Sequence, residues 1–311
     1  MSTGHGIHNG KAASANDAGR RPIYVIVTPV RNEEQFLRDT IASVTAQTVL
    51  PAEWIIVDDG SSDRTWDIIQ EASNRHAWIR GTKRTDRGFR HSGAGVVEAF
   101  YDGYNLLTQT GWQFLVKLDG DLSFAPDYFA QCFRRFESNP KLGIGGGLIC
   151  AAINGDLVPE SKYDPRFHVR GATKIYRREC WDQIGGLMRC PGWDGMDEIR
   201  ANMFGWTTGT FCELKVRHFR PAGMAYGRWK DWVKGGRGNY IAGYHPLFML
   251  AKSVRRVGIR PYGIASLGLL VGYFGGYVKR TPRVPDDRAI AYIRQQQINR
   301  LLGRKSIWSN P

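Results

Sequence analysis

Asp119 and Asp121 flank one glycine at the end of the apolar run at residues 112–121, WQFLVKLDGD. Alternate strand positions point the same way, so both carboxylates can turn toward one ion. Hard oxygen ligands suit Mg²⁺ or Mn²⁺, which sit between one or two carboxylates and substrate phosphates. An isolated Asp-x-Asp equally describes a solvated turn, so the motif needs company. Two further strand ends supply it: Pro29-Val30-Arg31-Asn32-Glu33 and Asp58-Asp59-Gly60-Ser61-Ser62. Ligand sites in open α/β sheets lie beyond the carboxyl ends of the strands. The first strand is followed by no GxGxxG, and GxxxxGK[ST] occurs nowhere. NAD-type and P-loop readings therefore lose their phosphate cradle.

The elements that must hold these residues alternate between short apolar runs and helical periods. IYVIVTPV (23–30), WIIVDD (54–59) and WQFLVKL (112–118) read as buried strands. Leu37, Ile41 and Val44 form a helical stripe after the first. Asp63 stands before Trp66, Ile69 and Ala72 as a helix cap would. Val96, Phe100, Tyr104 and Leu107 form a third stripe, and Phe129, Phe133 and Phe136 share a face after Pro126. This alternation predicts a mainly parallel α/β sheet flanked by helices. Gly143, Gly145, Gly146 and Gly147 fall in a later strand and read as close backbone packing.

The chain has 311 residues, 42% hydrophobic and 23% charged, which excludes disorder, collagen-like repeats and a disulfide scaffold as the main theme. Five scattered cysteines without CxxC spacing read as free thiols. Residues 1–21 have no apolar core segment and read as a disordered tail rather than a signal peptide. The net charge of +14 is uneven: residues 217–311 carry 18 Lys and Arg against Asp231, Asp286 and Asp287, while residues 1–216 are close to neutral. Such a block reads as a contact for an anionic surface.

In order along the chain, TPVRNEEQFL, VDDGSSDRT and KLDGD resemble a family 2 glycosyltransferase with the GT-A fold. The resemblance continues through GATKIYRRECWDQIGGL (171–187) and GWDGMDEIRANMFGW (192–206). It implies inverting transfer of a sugar from a UDP-, GDP- or TDP-sugar, with Mg²⁺ or Mn²⁺ on the diphosphate. It further implies that Pro29, Arg31 and Glu33 meet the nucleotide, that Asp58 and Asp59 approach base and ribose, and that Asp119 and Asp121 hold metal and donor diphosphate. Arg87 falls in the family's loop after the third strand, where Asp86 replaces a more usual Asn. His218 matches a further metal or diphosphate ligand. Inverting transfer needs a carboxylate to take the acceptor proton. Asp194, Arg200 and Gly205 fit the family's spacing for it, with Trp193 in place of a Glu. Asp197 lies one helical turn on, so the base is Asp194 or Asp197. Arg217, Arg220, Arg228 and Arg237 are candidates for steadying the leaving diphosphate.

The chain thus divides into a tail (1–21), a GT-A domain (22–225) and a basic, aromatic-rich helical region (226–311). Residues 261–278 carry no charge but include five glycines. Seventeen or eighteen helical residues reach ~26 Å, short of a ~30 Å hydrocarbon core. A monotopic segment on the inner face of the plasma membrane is the expected arrangement, with a buried core helix as the alternative. Residues 289–302 read as a basic amphipathic helix. These features lead to an expected saccharide acceptor linked to polyprenyl diphosphate, in bacterial polysaccharide synthesis. A nucleotidyltransferase lacks its glycine-rich basic signature, and a nucleic-acid-binding protein lacks zinc, RNP or helix-turn-helix signatures.

Overall fold

The computed structural model describes residues 22–85, 94–161, 163–190, 192–220, 228–258 and 262–309. The expected tail, Arg87 and the 221–227 segment lie outside them. Strand β1 (Tyr24–Val30) leads to helix α1 (Leu37–Thr45), β2 (Glu53–Asp58), α2 (Thr65–Arg75) and β3 (Ile79–Lys83). Then come α3 (Ala94–Tyr104), β4 (Phe114–Leu118), β5 (Leu122–Ser123) and α4 (Tyr128–Ser138). A long strand, β6 (Leu142–Ile153), turns into β7 (Asp156–Pro159), followed by β8 (Thr173–Arg177), α5 (Arg178–Ile184), α6 (Trp193–Met203) and β9 (Thr207–His218). The chain closes with α7 (Arg228–Ile241), α8 (Pro246–Val254), α9 (Ile264–Val278) and α10 (Asp287–Leu301).

The strands form one sheet in the order β3-β2-β1-β4-β8-β6-β9-β5, with β7 on β6. β1 runs parallel to β2 and β4, and β2 parallel to β3; β8 runs antiparallel to β4. All seven residues of β1 are buried, as a central parallel strand covered on both faces requires. Its side chains divide by parity. Tyr24 and Ile26 join a core with Leu37, Val44, Ile69, Phe129, Phe133 and Phe136. Val25 and Val27 join the opposite core with Phe100, Cys180, Trp181 and Trp193.

The glycine run lies in β6 and packs as closely as expected. A Cβ on Gly146 would sit 2.5 Å from the Thr173 carbonyl oxygen, and one on Gly147 2.5 Å from that of Leu214. Asp63 acts slightly further out than a cap should. Its Oδ1 accepts the Thr65 N–H at 3.0 Å, while Arg64 occupies the cap position.

A third core joins the C-terminal helices to α6. Met196 and Ile199 are buried with Tyr240, Met249, Leu269, Tyr273 and Ile293. The boundary expected near residue 225 therefore runs through a shared core. The run at 261–278 forms a helix of 15 residues, α9, about 22 Å long. Among the described residues no helix is long and apolar enough to cross a membrane. Its glycines form a seam: a Cβ on Gly272 would meet the Val233 carbonyl oxygen at 2.0 Å, and one on Gly236 of α7 that of Leu269 at 2.1 Å. The expected amphipathic helix is α10, but Leu301 and Leu302 stay exposed while Ile290, Ile293 and Gln297 are buried.

Candidate active site

A cleft of about 480 Å³ opens beyond the carboxyl ends of β1 and β4. Pro29, Arg31, Glu33, Asp59, Asp119, Asp121, Asp194 and His218 all line it. The sheet brings them together because β1 and β4 are neighbours, while β9 returns beside β5 with Leu122 opposite His218. Gly120 lets the two aspartates stand this close to β1, since a Cβ there would lie 2.5 Å from Val30 Cγ1.

Two turns brace the first wall. Ser61 Oγ accepts the Asn32 N–H at 2.9 Å, and Asn32 Oδ1 accepts the Ser62 N–H at 2.9 Å. Asn32 itself has φ 55 and Gly60 φ 74, the left-handed conformation such tight turns use. Asp59 offers its carbonyl to Arg31 at 2.7 Å and its carboxylate to Arg84 at 2.6 Å. Asp58 does not line the cleft. It is fully buried, and its Oδ1 accepts the Ser61 N–H at 2.8 Å, so it holds the turn that presents Asp59.

Asp121 and His218 face each other, with Oδ2 and Nε2 3.3 Å apart. Adjacent ligands on an octahedral ion with ~2.1 Å bonds lie about 3 Å apart, so this pair fits one divalent cation. Among the described residues no group of three or more His, Cys, Asp or Glu could hold a metal. An ion here would take its other ligands from water and phosphate, as Mg²⁺ does. Burial opposes a charged His218 ring, but hydrogen bonds to Asp121 and Glu160 outweigh it and lift its pKa to about 9. An ion held through Nε2 displaces that proton.

Asp194 and Asp197 share helix α6 but not a surface. Asp194, in the first turn, lines the cleft, and among the described residues no group donates a hydrogen bond to its carboxylate. Asp197 points inward and is fully buried. Lys174 Nζ donates to both its oxygens at 2.9 Å, and the Tyr176 hydroxyl donates at 2.6 Å. Burial works against the Lys174 charge, yet Asp197, Glu198 and Asp194 outweigh it and raise its pKa. Asp197 therefore anchors the helix that carries Asp194. Apolar and aromatic neighbours made the two look alike in sequence; the distinction rests on Lys174, which lies on β8 and has no local signature.

Of the arginines expected to face a leaving diphosphate, Arg220 lines the cleft and bonds Glu33. Arg217 instead stacks on Phe219, with its guanidinium carbon 4.6 Å from the ring centre, and Arg237 is not in the lining. The Arg228 side chain lies outside the described positions. Sequence reasoning missed three cations: Lys117, Arg170 and Lys234. Lys117 is buried in β4, bonds Asp119 and the Gly171 carbonyl, and lies 5.4 Å from the Trp193 ring centre. A lysine inside an otherwise apolar strand two residues before Asp119 was the available signal.

Residues 25–190, just over half of the chain, match the family described as Glycosyl transferase family 2. The chain belongs to this family. It is 39% identical over 187 residues to the O-antigen biosynthesis protein RfbC of Myxococcus xanthus, a match covering 57% of this chain and 14% of that protein. It is 30% identical over 112 residues to a poly-beta-1,6-N-acetyl-D-glucosamine synthase of Staphylococcus epidermidis, covering 36% of this chain and 25% of that one. The chain thus spans a quarter or less of the length of these relatives. Among solved structures, the mannosyltransferase PcManGT from Pyrobaculum calidifontis, in complex with GDP-Man and Mn²⁺, has a TM-score of 0.53 at 17% identity, covering 92% of this chain and 77% of that one. The sheet order and its flanking helices are those of a GT-A glycosyltransferase.

Proposed function

We propose that this family 2 glycosyltransferase moves a sugar from a nucleotide-sugar to a saccharide hydroxyl with inversion, using Asp194 as the base. The observation that carries this reading is the Asp194 carboxylate, to which no described residue donates a hydrogen bond and which shares one cleft with Asp119, Asp121 and His218. Asp194 takes the acceptor proton as that oxygen attacks the anomeric carbon. Arg220, Lys117 and Arg170 supply positive charge for the departing nucleoside diphosphate, in a site where fixed charges need no reorganisation. Asp121 and His218 would hold Mg²⁺ or Mn²⁺, which adds Lewis-acid stabilisation of the same leaving group. The GDP-Man and Mn²⁺ bound by the mannosyltransferase support a donor and ion of this kind.

The acceptor we propose is lipid-linked, on polyprenyl diphosphate, in bacterial polysaccharide synthesis on the inner face of the membrane. The names of both curated relatives support the pathway class. Support for the membrane comes from α8 and α9. They expose Leu247, Val254, Leu267, Val271, Phe274 and Val278, and Val278 is 84% exposed. From residue 232 to 285 the sequence has nine Lys and Arg and no Asp or Glu. An apolar face within a purely cationic stretch suits an anionic leaflet, with α9 lying in the plane of the interface.

The test is transfer or donor hydrolysis measured across UDP-, GDP- and TDP-sugars with Mn²⁺, comparing wild type with Asp194→Asn. We expect turnover to fall about 10²–10⁴-fold with donor affinity retained. Unchanged turnover in Asp194→Asn would sink the assignment of the base.

A further inference from the structure

The structure assigns Glu160 as a positioning residue that holds two cleft cations from behind. Glu160 directly follows the edge strand β7, and its N–H bonds the Ile149 carbonyl at 3.1 Å, so its backbone is tied to the sheet. The side chain is 4% exposed. His218 Nδ1 donates to Oε1 at 2.6 Å, and Arg170 Nη1 donates to Oε2 at 2.9 Å. One buried carboxylate therefore links the end of β9 to the loop before β8, and each partner lines the cleft.

The chemistry of the imidazole gives this link a consequence. With Nδ1–H committed to Glu160, Nε2 is the nitrogen that faces Asp121, 3.3 Å away. A histidine ligand must present an unprotonated nitrogen to an ion, and a hydrogen bond at the other nitrogen fixes which one that is. Glu160 fixes Nε2. It also turns Arg170 toward the space where a diphosphate would lie. Removing the carboxylate frees both side chains at once, although Glu160 is not itself among the residues that line the cleft. This inference rests on the ion site of Asp121 and His218.

The experiment titrates Mn²⁺ alone into the full chain, reading free Mn²⁺ by electron paramagnetic resonance, for wild type, Glu160→Gln and Glu160→Ala. Glu160→Gln keeps the shape but can turn an N–H toward Nδ1, which favours the proton on Nε2. We expect its Mn²⁺ affinity to fall about 10–100-fold, the usual loss when a ligand's hydrogen-bond partner is removed. Donor KM should rise and kcat should fall with it, because both freed groups hold the diphosphate and steady it as it leaves. A folded Glu160→Gln with Mn²⁺ affinity within threefold of wild type overturns the inference, as does a variant that loses only thermal stability. Should Glu160→Ala fail to fold, the isosteric Glu160→Gln carries the test. A wild type that binds no Mn²⁺ overturns the ion site and this inference with it. Glycosyl transfer is judged separately by Asp194→Asn.

Discussion

Helix α6 has two neighbours, and they differ in kind. Toward the sheet its own Asp197 and Glu198 meet Lys174 and His168 in a charged layer tied by hydrogen bonds. Toward the C-terminal helices it meets an apolar layer around Met196 and Ile199. The first layer fixes direction, because hydrogen bonds and ion pairs are angular and a missing partner leaves a buried charge exposed to low dielectric. The second fixes distance, because apolar contact and glycine seams set how closely helices approach but not which way a carboxylate points. Asp194 sits where the two meet. The cleft half of the molecule thus gets its precision from paired charges, and the C-terminal half gets its rigidity from packing.

The largest effects should come from the acids of the cleft. Asp119→Asn or Asp121→Asn should reduce transfer about 10³-fold, in line with loss of a main electrostatic stabiliser. Thermal stability should stay near wild type in Asp121→Asn but fall in Asp119→Asn, which leaves the buried Lys117 without its carboxylate partner. Wild-type turnover by both variants in chelator would remove these residues from the ion and diphosphate. The pair on α6 sharpens the contrast. Asp194→Asn should cost turnover and leave stability alone. Asp197→Asn leaves Lys174 buried without its main partner and should cost about 3–5 kcal/mol of stability in denaturant unfolding. The opposite pattern would exchange the two roles.

The strand ends were legible in sequence because β1, β2 and β4 are continuous apolar runs, and polar residues at their ends have nowhere to go but the cleft. That logic found Pro29, Arg31, Glu33, Asp59, Asp119 and Asp121. It failed for Asp58, the last residue of β2, because a one-residue difference in an alternating strand decides between cleft, where Asp59 lies, and core. It failed for Lys117 and Arg170, whose roles depend on partners 54 and 10 residues away in sequence, Gly171 and Glu160. The glycines of residues 261–278 misled differently. They weaken a spanning helix read alone, yet they are what lets α9 lie against α7, and only the partner helix reveals that.

Packing in the C-terminal half is tested by Gly272→Val. A Cβ there would sit 2.0 Å from the Val233 carbonyl oxygen, backbone that cannot yield locally. The α7–α9 pair must spread, at about 1–3 kcal/mol or more for overpacking of this kind. Cutting the chain after Ala225 goes further and strips the cover from Met196 and Ile199, which are 0% and 3% exposed. Such a fragment should aggregate rather than bind nucleotide-sugar, contrary to a reading in which 22–225 folds by itself. A soluble, cooperatively melting fragment would show that α6 does not need the C-terminal helices.

The charged layer makes its own test through pH. Burial opposes a charged His168, but Glu198 outweighs it and lifts the pKa from 6.5 to about 9, with Lys174 opposing and Asp194 assisting. A group whose pKa is raised in the folded state stabilises fully below its unfolded value and ceases to do so as pH rises through the folded value. Unfolding free energy should therefore decline between about pH 6.5 and 9, by up to about 3 kcal/mol for this one group. Denaturant titrations at several pH values would read it. His168→Gln should flatten that segment of the profile, and an unchanged slope in the variant would assign the decline to another group.

The smallest effect on folding should come from the exposed apolar face. Val254 is 70% exposed on α8 and Val271 47% exposed on α9, and neither lines the cleft. Replacing both by glutamate removes apolar surface and introduces negative charge within a stretch of nine cations. Surface changes of this type usually move stability by no more than about 0.5 kcal/mol. On a vesicle of 70% phosphatidylcholine and 30% phosphatidylglycerol the same changes act twice, through lost apolar burial and through repulsion from the leaflet at about 1 kcal/mol per charge. We expect Val254→Glu with Val271→Glu to weaken vesicle sedimentation at least tenfold and to leave donor hydrolysis in solution unchanged. Raised salt should only partly release the wild type, because screening reaches the cations but not the buried apolar residues. If the wild type ignores the vesicles at low salt and instead sediments as a dimer that the double variant dissociates, the face belongs to a second copy of the chain. The cations around it argue against that outcome, since a two-fold contact would set them against their own copies.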